Sequence, residues 1–166
     1  MIYIFVDPSG SFNEGKGHTG IATIEDSDWD TLKYKSIAAK DYKNRHAYWT
    51  AIIDEIGDNL SDSTGGKVII ESFMIRTQGF LMGKMPETIQ FIGALEFVLE
   101  EADIEYSLQT PTQAKSRFKD DDLPRYIPGF EKRTNGRYYL NGKQVNDHIR
   151  DALKHLLYYM KYRKDK

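Results

Sequence analysis

The chain has 166 residues, a formal net charge of −2, 40% hydrophobic and 29% charged residues, and no cysteine. That length suits one domain with a real core. The missing cysteine excludes disulfides and thiolate metal sites, so any metal here must be held by oxygen or imidazole.

No apolar run approaches the roughly 18 residues of a membrane span. No charged-apolar-small pattern opens the chain, so no signal peptide is expected. The expectation is a soluble, cytoplasmic protein without membrane contact.

"IYIFV" (2–6) is a β-branched and aromatic run that reads as a central strand. "DPSGSFNEGKGH" (7–18) is a turn-rich loop. "TGIATIE" (19–25) and "LKYKSIAAK" (32–40) read as a second and third strand, and short connections predict an antiparallel meander. In 45–60, Trp49, Ile52, Ile53, Ile56 and Leu60 recur at helical spacing, and "STGG" (63–66) ends that helix. "KVIIES" (67–72) is a short buried strand carrying Glu71 at its end.

A helix is expected over 86–102, with Pro86 at its first position. It carries two apolar stripes, Ile89, Ile92, Leu99, Ala102 and Phe91, Ala94, Val98. Such a helix is buried on more than one face, against its own chain or a second subunit. "IEYSLQ" (104–109) is a fifth strand. About thirty residues without sustained periodicity follow, longer than a routine connection. Within them 137–145 reads as a hairpin turning on Asn141-Gly142. The last helix spans 146–162, with Ile149, Ala152, Leu153, Leu156, Leu157 and Met160 on its core face and Asn146 or Asp147 as its N-cap. The order β-β-β-α-β-α-β-insert-α predicts an α/β fold, a mixed five-stranded sheet flanked by helices.

Three acids stand where a metal site could be built. Asp7 ends the first strand, Glu71 ends the fourth, and Asp151 lies on the last helix. His148, Asp151 and His155 share one flank of that helix at about 100° per residue. If strands one and four are parallel neighbours, their acids emerge at one sheet edge. Converging carboxylates repel, and divalent cations remove that conflict. Oxygen ligands suit Mg²⁺ or Mn²⁺. Each residue also has a plainer reading: Asp7 as a turn former, Glu71 as a surface acid, His148 and Asp151 as dipole-compensating groups. Asp147 is a rival ligand to His148.

"FVDPSG" followed by "TGIATI" resembles the opening of RuvC-type Holliday junction resolvases. "VIIESF", "TPTQAK" and "HIRDALKHLL" resemble that family's later motifs, in the same order, so the resemblance spans residues 2–157. It implies a ribonuclease H-like fold and Mg²⁺-dependent cleavage of four-way DNA junctions by a homodimer, with Mn²⁺ as a substitute. It implies Asp7, Glu71, His148 and Asp151 as metal ligands, with His148 also assisting proton transfer, and Lys115 at the scissile phosphate. Ser9 stands where the family usually has Gly, the loop 8–18 is long, and 116–146 looks like an insertion in a single domain covering 1–166. These departures resemble the phage-encoded branch, whose members cut a wider range of branched DNA; for such a member the compartment is the host cytoplasm.

Charge is unevenly distributed. Residues 1–110 carry 9 Lys+Arg and 18 Asp+Glu, net −9, whereas 111–166 carry 14 and 7, net +7. A basic half suggests a polyanion partner. Lys115, Arg117, Lys119, Arg125, Lys132, Arg133, Arg137 and Lys143 interleave with Phe118, Tyr126, Phe130, Tyr138 and Tyr139, an arrangement suited to phosphates and unstacked bases. Part of the segment, with the acidic run Asp120–Asp122, is expected to face solvent. The apolar loop after Glu71 is a second candidate surface, where Phe73, Met74 and Phe80, with Arg76, could wedge at a branch point or pack on the next helix. A dimer is expected through helix 86–102. Beside the nuclease stand two alternatives: a branched-nucleic-acid binder of the same fold that does not cut, and a same-fold nuclease acting on RNA or flaps.

Overall fold

The computed structural model describes residues 1–9, 11–12, 16–61, 65–73 and 87–162. β1 (Ile2–Asp7), β2 (His18–Glu25) and β3 (Asp28–Ala38) form an antiparallel meander. Helix α1 (Arg45–Ser61) leads to β4 (Gly66–Glu71), parallel to β1, and α2 (Glu87–Glu101) precedes β5 (Glu105–Gln109), parallel to β4. The five-stranded order is β3-β2-β1-β4-β5. A short helix α3 (Pro111–Lys115), a 3-10 turn (Asp120–Arg125) and a small sheet of β6 (Phe130–Lys132), β7 (Tyr138–Leu140) and β8 (Lys143–Gln144) precede α4 (Asp147–Tyr162). Among the described residues, no helix is long and apolar enough to cross a membrane.

The expected mixed sheet is present, and the differences have local causes. β3 begins at Asp28 rather than 32 because Asp26 and Ser27 both take positive φ, 45° and 70°, and close a two-residue hairpin. No Asn-Gly or Asp-Gly marks that turn in the sequence. Asn141-Gly142 does mark the other, and both residues take positive φ there. Helix α3 lies in the stretch read as aperiodic; Gln113 Oε1 accepts the Thr110 N–H at 2.8 Å and closes its first turn. Asn146 caps α4 by accepting the Ile149 N–H at 3.0 Å. Pro86 lies outside the described residues. Helix α2 buries Phe91, Ile92, Leu95 and Leu99 on the sheet and leaves Phe97 63% exposed.

Strand periodicity decides which face each acid takes. In β1, Ile4 and Val6 pack with Val68 and Ile70 under α1 and α2. Tyr3 and Phe5 pack with Ile69 under α4 on the opposite face. Asp7 follows Phe5 by two and Glu71 follows Ile69 by two, so both emerge on the α4 side. Phe5 is the register partner of Ile69, which sets the two acids side by side at the strand ends.

Two contacts bring the neighbouring chain to that edge. Asp7 pairs across the ladder with Gly20. A Cβ on Gly20 would stand 2.2 Å from the His148 carbonyl oxygen and 2.8 Å from the Ile149 nitrogen. The first turn of α4 therefore rests on bare β2 backbone. Behind Asp7, Tyr48 OH donates to the Ser9 carbonyl at 2.8 Å, and the Ser9 N–H donates to Thr19 Oγ1 at 3.2 Å. Tyr48 and Thr19 are fully buried and 3.0 Å apart, so the turn after Asp7 is pinned from inside.

Gly20→Ala should destabilise the protein by about 1–3 kcal/mol in denaturant unfolding, because the clash is with backbone that has nowhere to move. Gly57→Ala, on α1 with nothing among the described residues within 4 Å, should instead stabilise it by about 0.5–1 kcal/mol. Equal effects at the two sites would refute the close approach of α4 to β2.

Candidate functional site

Asp7, Glu71 and Asp151 come from β1, β4 and α4, and each offers an oxygen within 4.8 Å of the others. At an effective dielectric of about 20, two unit charges that far apart repel by roughly 3.5 kcal/mol. Three such pairs would cost on the order of the whole stability of a domain. The cost is met by a set of proton and cation partners.

Glu71 Oε1 and Asp151 Oδ2 both accept from the Lys115 ammonium at 2.8 Å. Asp151 Oδ1 accepts from Lys154 at 2.8 Å. Asp7 Oδ2 meets His148 Nδ1 at 2.8 Å. Glu71 Oε2 lies 3.0 Å from Nε2 of the fully buried His155, close enough for an ion pair but without hydrogen-bond geometry. His155 Nδ1 in turn meets Gln109 Oε1 at 2.8 Å.

Burial raises the Asp7 carboxyl, and the neighbouring charges of Glu71 and Asp151 raise it further, against the opposing His148 bond. His148 is raised by that same hydrogen bond, against its own desolvation. The pair therefore holds a proton more tightly than its members would in water. Burial also pushes Glu71 upward, but His155 and Lys115 overcome it and hold the carboxyl at about 2. Lys115 is raised by Asp151 and Glu71 despite its desolvation.

The donor set fits a divalent cation. Three carboxylates supply hard oxygens, and Glu71 Oε2 is a buried oxygen with no hydrogen-bond partner among the described residues. Asp7 and Glu71 open onto a cleft of about 460 Å³ that Ser9, Phe73, Lys115 and His148 also line. Phe73 is 45% exposed at its edge.

The carboxylates and Lys115 named from sequence thus converge, and His148 joins them through Asp7. Asp147 does not: its side chain is 84% exposed and bonded to Arg150. The basic segment divides. Arg117, Lys119, Arg125, Arg137 and Lys143 are exposed. Lys132 is tied to Asp121 at 2.8 Å, while Arg133 bonds Glu131 and lies 3.9 Å over the Tyr139 ring. Phe118 and Phe130, read as faces for bases, are 2% and 5% exposed and belong to the core under α4. The acidic run is not simply a solvent face either, because Asp120 reaches Arg150 and Lys154 on α4. Met74, Arg76 and Phe80 lie outside the described residues.

Sequence reasoning assigns no role to Gln109 or Lys154, and places His155 on the right flank without one. For His155 the seven-residue spacing from His148 is a usable signal. Gln109 is brought in by register, as the partner of Glu71 on β5, and nothing in its own neighbourhood announces it.

No protein-family model matches the chain, and no curated protein matches it significantly in sequence. Solved structures do. The RuvC of Thermus thermophilus in complex with Holliday junction substrate superposes with a TM-score of 0.67 at 15% identity, covering 99% of this chain and 96% of that one. A second Thermus thermophilus RuvC structure gives 0.57 at 16% identity, covering 97% and 96%.

The two strand-end acids should affect metal-free stability in opposite directions at neutral pH. The Asp7 carboxyl is raised above its unfolded value, so its ionisation opposes folding and Asp7→Asn should raise Tm. The Glu71 carboxyl is lowered, so its stabilisation is present above its unfolded pKa of about 4.3 and fades as pH falls to about 2. Glu71→Gln should lower Tm at neutral pH and narrow the gap to wild type in acid. Thermal melts in chelator check both signs.

With the superposition covering nearly the whole length of both molecules, the chain has the RuvC fold, the ribonuclease H-like arrangement that the resemblance implies, built on the mixed five-stranded sheet expected from the order of its elements.

Proposed function

We propose that this protein is a divalent-metal-dependent endonuclease that hydrolyses phosphodiesters in branched DNA, with four-way junctions as its substrate. The observation that carries this reading is the convergence of Asp7, Glu71 and Asp151, from three separate elements, beside an open cleft that Asp7, Glu71 and Lys115 line. The likeness to a RuvC solved with a Holliday junction supports the choice of substrate.

In this reading Asp7, Glu71 and Asp151 hold Mg²⁺, or Mn²⁺ in its place, with His148 as a fourth ligand or a proton carrier beside them. The bound ion supplies the charge that activates water and stabilises the leaving oxygen of the phosphodiester. Lys115 offers its ammonium to the phosphate. His148 is fixed by Asp7 through Nδ1, which leaves Nε2 available to move a proton. The Tyr48–Thr19 clamp on Ser9 keeps the turn after Asp7 from closing over the cleft.

Phe73, Arg117, Lys119, Arg125, Lys132, Arg133, Arg137 and Lys143 form the proposed DNA surface, with residues 116–146 as an insert that widens it. Lys132 and Arg133 already have acidic partners, so the exposed Arg137 and Lys143 carry more of the phosphate attraction. Phe97 on the outer side of α2 supports pairing of two copies through that helix, as a junction with two strands to cut requires. The cytoplasm is the proposed compartment, that of the host for a phage-encoded enzyme.

Wild type should cut a synthetic four-way junction with Mg²⁺, and Asp7→Asn should lose at least about 100-fold in rate. Equal cutting by the variant would sink the metal assignment. Junction binding without cutting, across Mg²⁺ and Mn²⁺, would favour the non-catalytic alternative.

Arg137→Ala/Lys143→Ala should weaken junction binding and reduce the slope of log affinity against log salt by about 2, one for each phosphate no longer neutralised. An unchanged slope would remove the small sheet from the DNA surface.

A further inference from the structure

Lys154 is a buried charge that the reading above leaves without a role. It lies on α4 less than one turn after Asp151 and is only 8% exposed. An exposed ion pair at this spacing would contribute little. A buried ammonium is different, because leaving it unpaired costs several kcal/mol. Two carboxylates hold it. One is Asp151 Oδ1, at 2.8 Å. The other is Asp120, from the 3-10 turn, whose Oδ1 forms an ion pair with Lys154 without hydrogen-bond geometry while its Oδ2 accepts from Arg150 Nε at 2.8 Å.

The two lysines on Asp151 are not equivalent. Lys115 reaches Oδ2, is 35% exposed at the side chain and lines the cleft. Lys154 reaches the other oxygen, Oδ1, and its side chain is only 10% exposed. Asp120 sits outside the group of three acids. The Asp120–Lys154 pair is therefore a neutral support on the protein side of Asp151. It is anchored further out, since the adjacent Asp121 accepts from Lys132 at 2.8 Å and from Tyr138 OH at 2.5 Å.

We infer that Lys154, held by Asp120, is a positioning residue. It fixes Asp151 Oδ1 and leaves Oδ2 turned toward Asp7 and Glu71, so the third carboxylate is set before any cation arrives. The inference rests on the metal-dependent reading proposed above. It also gives 116–146 a second duty, as support for the metal site rather than only a DNA surface.

The test is Mn²⁺ binding to DNA-free protein by calorimetry, comparing wild type, Asp151→Asn, Asp120→Asn and the double variant Asp120→Asn/Lys154→Met. The double variant removes the support without changing net charge, so it separates positioning from a field effect. It should bind Mn²⁺ about 10-fold more weakly, as loss of an outer partner of a metal ligand typically does. Junction affinity in chelator should stay at the wild-type value. The Mn²⁺ concentration for half-maximal cleavage should rise in proportion, with KM for the junction unchanged.

If wild type binds no Mn²⁺, or Asp151→Asn binds it as well as wild type, the metal reading fails and the inference goes with it. If Asp151→Asn loses the ion but the other two variants keep wild-type affinity, the positioning role alone is overturned. A loss in Asp120→Asn that the double variant restores is a field effect and overturns it too. Should the double variant not fold, Asp120→Asn decides alone: wild-type Mn²⁺ affinity overturns the inference, and weaker Mn²⁺ binding with unchanged junction affinity supports it.

Discussion

Three carboxylates held within 4.8 Å of one another are the constraint around which this end of the molecule is arranged. Packing alone would scatter them, since each pair repels by an amount comparable to a sizeable fraction of the folding free energy. The protein answers with basic partners from two elements: Lys115 from α3, and His148, Lys154 and His155 from α4. Helix α4 carries both an acid of the site and most of what neutralises it. Its position on the sheet therefore controls ligand geometry and electrostatic balance together.

The placement of α4 follows from a side chain that is absent. Gly20 lets the His148 backbone come down onto β2 at the position paired with Asp7. Any Cβ there would lift the first turn, and the His148–Asp7 bond would open with it. The far side of the same helix is held differently, by Ile149, Ala152, Leu153 and Leu156 packed among Phe5, Ile69, Phe118 and Leu140. The segment 116–146 thus supplies core to α4 as well as charge to its flank. This explains why Phe118 and Phe130 point inward. A lobe of that size has to bury something, and aromatic side chains are its largest apolar resource.

Much of this is legible in the sequence, and the reasons differ from residue to residue. Asp7 and Glu71 can be found because each ends an apolar run, and strand periodicity then fixes the face they share. His148, Asp151 and His155 can be grouped because helical spacing is regular. What cannot be read is anything depending on register between strands, such as Gln109 opposite Glu71, or on contacts between distant segments, such as Asp120 on Lys154. The start of β3 escapes the sequence reading because its turn uses Asp26 and Ser27, neither of which signals positive φ as strongly as glycine does. The stripes expected on α2 are only partly right: Leu95, in neither, is fully buried, and Ala102, in the first, is exposed.

Ser9 shows how a residue type can mislead while its position does not. In the motif it stands where the resembled family usually has glycine, which invites a search for what its hydroxyl does. The described contacts use its backbone instead: the carbonyl accepts from Tyr48 and the N–H donates to Thr19. A backbone clamp of this kind tolerates any side chain that fits the cleft wall, so Ser can replace Gly there without disturbing Asp7. What the turn demands is two buried hydroxyls beneath it. Thr19 and Tyr48 supply them from β2 and α1, so the turn that follows Asp7 is held from the opposite face of the sheet from the one that holds α4.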